Sequence, residues 1–135
     1  MKLPPDVTFV EAHRLLIWRP RGVLDEAVVN KITAFIGEEE LIFSEPFNRF
    51  CDMSALDAVD LNFEYVFRVA LHRRLSYKGR PSVKSAFFVT NPDAAHYVKL
   101  HAILTDHSPL HVAMFEEREA AAEWLGVPVE LLIAE

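Results

Sequence analysis

Apolar residues along this chain change rhythm repeatedly, from strand-like runs to helix-like stripes and back, with a turn signal at each change. Recurrence at every second residue, or a short unbroken apolar run, suits a strand. Recurrence at every third or fourth residue gives one face of a helix. A chain that alternates the two in this way is restricted to a sheet covered by amphipathic helices.

Val7 to Glu11 and Leu15 to Arg19 read as two strands joined by the polar turn Ala12-His13-Arg14, a hairpin. Pro20 closes the second strand because proline lacks the ladder donor. Gly22 permits a turn, and Asp25 caps a first helix whose Val28, Ile32, Phe35 and Ile36 share a face. Gly37 and the run Glu38-Glu39-Glu40 are expected to end that helix, with Leu41 to Pro46 as connector. Phe47 to Met53 is a third strand, placing Phe47, Arg49, Cys51 and Met53 on one side and Asn48, Phe50 and Asp52 on the other. Ser54 to Asp60 is then a loop, and a second helix runs from Asn62 to about Tyr77 with Phe63, Phe67, Ala70 and Leu71 inward.

Beyond Gly79-Arg80-Pro81, Val83 to Thr90 has the strongest strand pattern. Its consecutive Ala86, Phe87, Phe88 and Val89 suit a strand covered on both faces. Asn91-Pro92 is a helix start, and the apolar positions Ala95, Val98, Leu100, Ala102 and Ile103 carry that helix to about Leu104. Val112 to Phe115 is a fifth strand and Arg118 to Leu125 a fourth helix, with Gly126 suited to its C-terminal cap. Pro128 opens a tail with room for one more helical turn. The order ββαβαβαβα predicts a single α/β domain over residues 1–135, built on a five-stranded, mixed but mostly parallel sheet. The first strand, entering through a hairpin, is expected antiparallel near an edge.

Composition narrows the function. With 51% hydrophobic residues and ten phenylalanines in 135, the core needs no disulfide or metal to hold it. A net charge of −6 argues against nonspecific nucleic-acid binding, which needs surplus lysine and arginine. The one cysteine, Cys51, has no internal partner for a disulfide, and the start MKLPPDV lacks the apolar stretch of a signal peptide. Nothing approaches the roughly 20 apolar residues of a membrane span. A cytoplasmic protein with at most peripheral membrane contact is the expectation.

Four local signatures stand in register with this element order. They are Gly22-Val23-Leu24-Asp25 before the first helix, Cys51-Asp52-Met53-Ser54 at the end of the third strand, and Val59-Asp60-Leu61-Asn62 before the second helix. The fourth is Val112-Ala113-Met114-Phe115 with the Glu116 to Leu125 helix after it. As an ordered set they resemble the SpoIIAA-like family of STAS-like domains, relatives of the anti-sigma-factor antagonists. The resemblance spans nearly the whole chain. It implies a sheet with helices mainly on one face and a non-enzymatic binding or regulatory role.

In the wider family a serine at the start of the second helix is phosphorylated by a partner kinase. Here Asn62 stands in that place, and an amide cannot accept a phosphoryl group. Ser54 is a hydroxyl, but it lies upstream. Relatives of the narrower type resemble carriers of hydrophobic ligands or proteins that touch membranes through their helices. On that resemblance, the ligand-binding candidates are Trp18, Phe63, Phe67, Phe87 and Tyr97, and the ligand a hydrophobic small molecule or lipid. The alternative is a protein-interaction module using Ser54, Asp57, Asp60 and Asn62.

Other chemistry is weaker. His96 and His101 share the third helix but sit five apart, about 140° around its axis, so they do not face one metal ion. His107 and His111 lie beyond it. Asp52, Asp57 and Asp60 are expected to crowd one loop, where paired carboxylates do acid–base work or hold a cation, yet capping and solvation explain them as well. Cys51 inside a strand reads as a small buried hydrophobe. His72, Arg73, Arg74, Lys78, Arg80 and Lys84 form the one basic concentration, suited to helix-end charge or to docking on anionic headgroups. No phosphate loop, nucleophile elbow or H-E-x-x-H pattern is present. The sequence therefore offers no catalytic residues, no metal site and no cofactor. An exposed edge strand would allow a homodimer.

Overall fold

The computed structural model describes residues 2–43 and 45–133 of the chain. Its main sheet has five strands in the order β1-β2-β4-β6-β7. They are β1 (Val7–Val10), β2 (Leu15–Trp18), β4 (Asn48–Asp52), β6 (Val83–Phe88) and β7 (Leu110–Phe115). β1 pairs antiparallel with β2, and every other pair is parallel. The hairpin is tight because Glu11–His13 forms a single 3-10 turn and Arg14 takes a left-handed conformation at φ 49°.

A second sheet is absent from the sequence reading. β3 (Gly22–Asp25) pairs in parallel with β5 (Leu56–Asp60), so the expected Gly22 turn and the expected Ser54 to Asp60 loop are both in part strand. Gly22, at φ +74°, makes the bend into β3. The two strands end side by side at Asp25 and Asp60, and each leads straight into a helix. Asp25 accepts from the Val28 amide at 3.0 Å to start α1 (Glu26–Ile42), as its position in the sequence indicates. Asn62 accepts from the Tyr65 amide at 2.8 Å to start α2 (Phe63–Ser76). Asn91 does the same for α3 (Pro92–Thr105), with amides of Asp93 and Ala94 at 2.8 and 3.2 Å.

α1 does not stop at Gly37 but runs on to Ile42. The glutamates after Gly37 are good helix formers, and Glu40 is anchored by an ion pair to Arg49 on β4 at 2.8 Å. That tertiary bond outweighs the local cost of one glycine, about 1 kcal/mol.

Strand alternation divides the core into two layers. Leu16, Trp18, Phe47, Cys51, Met53 and Phe87 pack under Ile32 and Ile36 of α1 and Ala94 and Val98 of α3. Leu15, Ile17, Phe50, Ala86 and Phe88 face the other way, against Ala121, Ala122 and Leu125 of α4 (Arg118–Leu125) and Leu132 of the 3-10 turn that follows. Three helices on one face and one on the other agree with the helices mainly on one face that the resemblance implies. Gly126, at φ +74°, terminates α4.

The inward face of α2 is a correction. Tyr65, Val66 and Ala70 are buried, whereas Phe63, Phe67, Leu71 and Leu75 are 58%, 40%, 45% and 64% exposed. The helix is apolar on most of its circumference, so two stripes satisfy the same i, i+4 spacing. The sheet takes the stripe that Asn62 and the β5 exit turn toward it, and only Ala70 of the expected inner set belongs to it.

Candidate functional site

A cavity of about 100 Å³ lies between α1, α2, α3 and the helical face of the sheet. Val29, Ile32 and Ile36 of α1, Tyr65, Val66 and Val69 of α2, and Ala94 and Val98 of α3 form its roof and sides. Trp18, Cys51, Met53 and Phe87 lie on its floor. It exists because β4 and β6 carry small or polar side chains, Ser85, Cys51 and Arg49, where three helices converge. Their axes are held apart by other contacts. Tyr65 on α2 hydrogen-bonds Glu26 carbonyl and Asn30 on α1 at 3.1 and 2.6 Å. Tyr97 on α3 donates to the Leu61 carbonyl ahead of α2 at 2.9 Å.

Of the aromatic residues singled out from the sequence, Trp18, Phe87 and Tyr97 line this cavity. Phe63 and Phe67 do not: they stack on each other outside α2, with ring centroids 6.2 Å apart. Sequence reasoning missed the polar members, Arg49, Arg73, Ser85 and His101. The signal for Arg49 was present, since its alternation with Cys51 and Met53 places it on the inward side of β4.

Arg49 is wholly buried. Its Nη2 pairs with Glu40 at 2.8 Å and its Nη1 donates to the Tyr77 hydroxyl at 2.8 Å. Tyr77 in turn donates to the same Glu40 carboxylate at 2.5 Å. Register puts Arg49 directly beside Ser85 on the neighbouring strand. His101, on α3, is buried with its Nε2 3.3 Å from Arg73 Nη1. Burial, aided by the Arg73 charge, pulls His101 down to about 3, so the ring is neutral at neutral pH. Burial likewise pushes the Cys51 thiol up to about 12, which leaves it protonated and without nucleophilic character.

The three aspartates do not form one cluster. Asp52 is buried at the end of β4, where it accepts from the Ser54 amide and hydroxyl at 3.0 and 2.6 Å and from Arg118 at 3.1 Å. Arg19 approaches it at 3.5 Å. Burial opposes its ionisation, but those hydrogen bonds and the Arg118 charge prevail and hold the carboxyl below its ordinary value. Asp57 and Asp60 are exposed on β5, three positions apart and hence on opposite sides of the strand. Ser54 is exposed, and Asn62 is committed as the cap of α2.

The basic concentration also divides. Arg74 donates to the carbonyls of Leu104 and Asp106 at the end of α3, and Lys84 to the Trp124 carbonyl at 2.8 Å. Both hold the fold together. Among the described residues, no group of three histidine, cysteine, aspartate or glutamate side chains is placed to hold a metal ion. No helix among them is long and apolar enough to cross a membrane.

The chain is similar in structure to an uncharacterized protein of the DUF3478 family with a SpoIIAA-like fold from Shewanella loihica PV-4. Identity is 15% and the TM-score 0.52, over 82% of this chain and 83% of that one. The fold of this chain is therefore SpoIIAA-like. No family model and no curated protein matches the sequence.

Proposed function

We propose that this protein is a non-catalytic binding module that takes an apolar or amphipathic ligand into the cavity beneath α2. The observation that carries this reading is the cavity itself, a mainly apolar space bounded by three helices and the sheet. Its position supports entry by displacement of α2. That helix keeps only part of its apolar surface on the core, and its hydrogen bonds to α1 are made at its two ends, by the Tyr65 hydroxyl and by Tyr77 at its C-terminal cap. At about 100 Å³ the space falls below the roughly 300 Å³ of a drug-sized pocket. A long acyl chain would enter only with α2 moved outward.

Native mass spectrometry of gently purified protein is expected to show a bound small molecule that is lost on denaturation. Val69→Phe, which fills the space from the α2 side, should abolish it. A clean apo mass, together with no NMR response of the lining residues to small alcohols, would remove the reading.

A second reading, peripheral membrane contact, is favoured by the outer face of α2. Phe63, Phe67, Leu71 and Leu75 recur every four residues there, flanked by the exposed Arg68, His72 and Lys78. An apolar stripe with Arg68 and Lys78 at its edges suits the surface of an anionic bilayer. Co-sedimentation with phosphatidylserine vesicles should fall with salt and be lost in the Phe63→Ser, Phe67→Ser double variant. Binding unaffected by that variant would exclude this face.

A further inference from the structure

The polar part of the cavity holds more unused donors than acceptors. Arg49 spends Nη1 and Nη2 on Tyr77 and Glu40, while its Nε has no partner. Ser85 Oγ, beside it on β6, has only the weakly accepting Cys51 thiol next to it, and His101 Nδ1 has no well-aligned acceptor. The tautomer of His101 follows from Arg73. A guanidinium only donates, so the ring nitrogen facing it, Nε2, accepts, and the proton sits on Nδ1. Arg73 makes no ion pair with any carboxylate among the described residues. Four groups lining one cavity thus offer N–H or O–H, and one of them, the partly exposed Arg73, is a cation with no carboxylate partner among the described residues.

Buried polar groups are rarely left without partners, and a set of unused donors beside a cation calls for a group that only accepts and is negative. A carboxylate meets both conditions. Phosphate fits less well, since its second charge would face a single unpaired cation in an apolar space. The volume limits the remainder of the molecule, because a cavity of about 150 Å³ holds one benzene and this one is smaller.

Resting on the binding reading above, we propose that the cavity is a site for a small apolar carboxylate. Arg73 and the neutral donors Ser85 and His101 hold its oxygens, and its short hydrocarbon part lies among Ile32, Met53, Val66 and Val98. A water molecule occupying the same donors in the free protein would be displaced by the acid, which replaces its hydrogen bonds, and less readily by an alcohol, which replaces fewer.

The test is an NMR titration of the whole chain with sodium butanoate, 1-butanol and sodium decanoate. Butanoate is expected to shift the amides of the lining residues with a Kd at least tenfold lower than that of 1-butanol. Arg73→Met, which keeps the aliphatic length, should raise the butanoate Kd about tenfold and leave the butanol Kd within twofold. Ser85→Ala, a smaller change that serves if Arg73→Met unfolds, should raise the butanoate Kd alone. Equal affinity for acid and alcohol, or equal weakening of both by either variant, would overturn the carboxylate assignment while leaving the cavity a binding site. Decanoate binding more tightly than butanoate would overturn the size limit. Failure of all three ligands to bind would remove the binding reading itself.

Discussion

His101 and Asp52 are both titratable groups buried at the edge of a helix layer, and they respond to acid in different windows. The folded pKa of His101 lies near 3, whereas in the unfolded chain it takes its ordinary value near 6.5. Below about pH 6.5 the unfolded chain therefore gains a proton that the folded one refuses. Stability is full above that pH and declines as pH falls toward 3, by at most about 1.4 kcal/mol per unit. His101→Phe, which keeps an aromatic ring against Phe87, should flatten this slope between pH 6.5 and 4 in stepped-pH thermal unfolding. An unchanged slope would mean the ring is solvated.

For Asp52 the folded pKa is depressed, so its contribution is present above the unfolded value near 3.9 and is lost as pH falls below it. Asp52→Asn leaves Arg19 and Arg118 without their shared anion. It should cost about 2 kcal/mol at pH 7 in urea unfolding, with the difference from wild type shrinking below pH 4. The loss stays below that of a fully buried pair because both arginines are about a quarter exposed and solvent screens them.

At the scale of elements, helix starts were legible and helix faces were not. Asp25, Asn62 and Asn91 act through bonds two or three residues long, so the local sequence suffices to find them. The Asn62 cap should be worth about 1 kcal/mol, read as the stability lost in Asn62→Ala. Because α2 roofs the cavity, the same variant should also increase hydrogen exchange selectively along α2. Exchange rising equally in α1 and α3 would contradict that local effect.

The β3–β5 pair was hidden for the opposite reason. Gly22 to Asp25 and Leu56 to Asp60 are each too short to show a strand period, and they become strands by pairing with each other across more than 30 residues of chain. The α2 face was equally nonlocal. Phe63 and Val66 are both apolar enough to be buried, yet only Val66 is, because the exit from β5 and the Asn62 cap turn its stripe toward the sheet.

Across the whole molecule, the layer behind the sheet depends on a short C-terminal addition. Leu132 is fully buried with Phe50, Leu15 and Ala121. Leu132→Ala should cost about 2–4 kcal/mol in chemical denaturation. A loss under 1 kcal/mol would show that the turn over residues Val129–Leu132 is peripheral to the back layer.

The alternation of apolar rhythm determined most of the element types, their order in the main sheet and the parallel sheet with its antiparallel edge. Each of these follows from contacts a segment makes with itself or from which of its sides is apolar. The cavity, its polar lining groups and the pairing of Arg49 with Glu40 were decided only by the tertiary structure. They arise where side chains from β4, β6 and three helices meet, and the space left between such groups depends on how far apart their backbones are held, a distance that no single segment encodes.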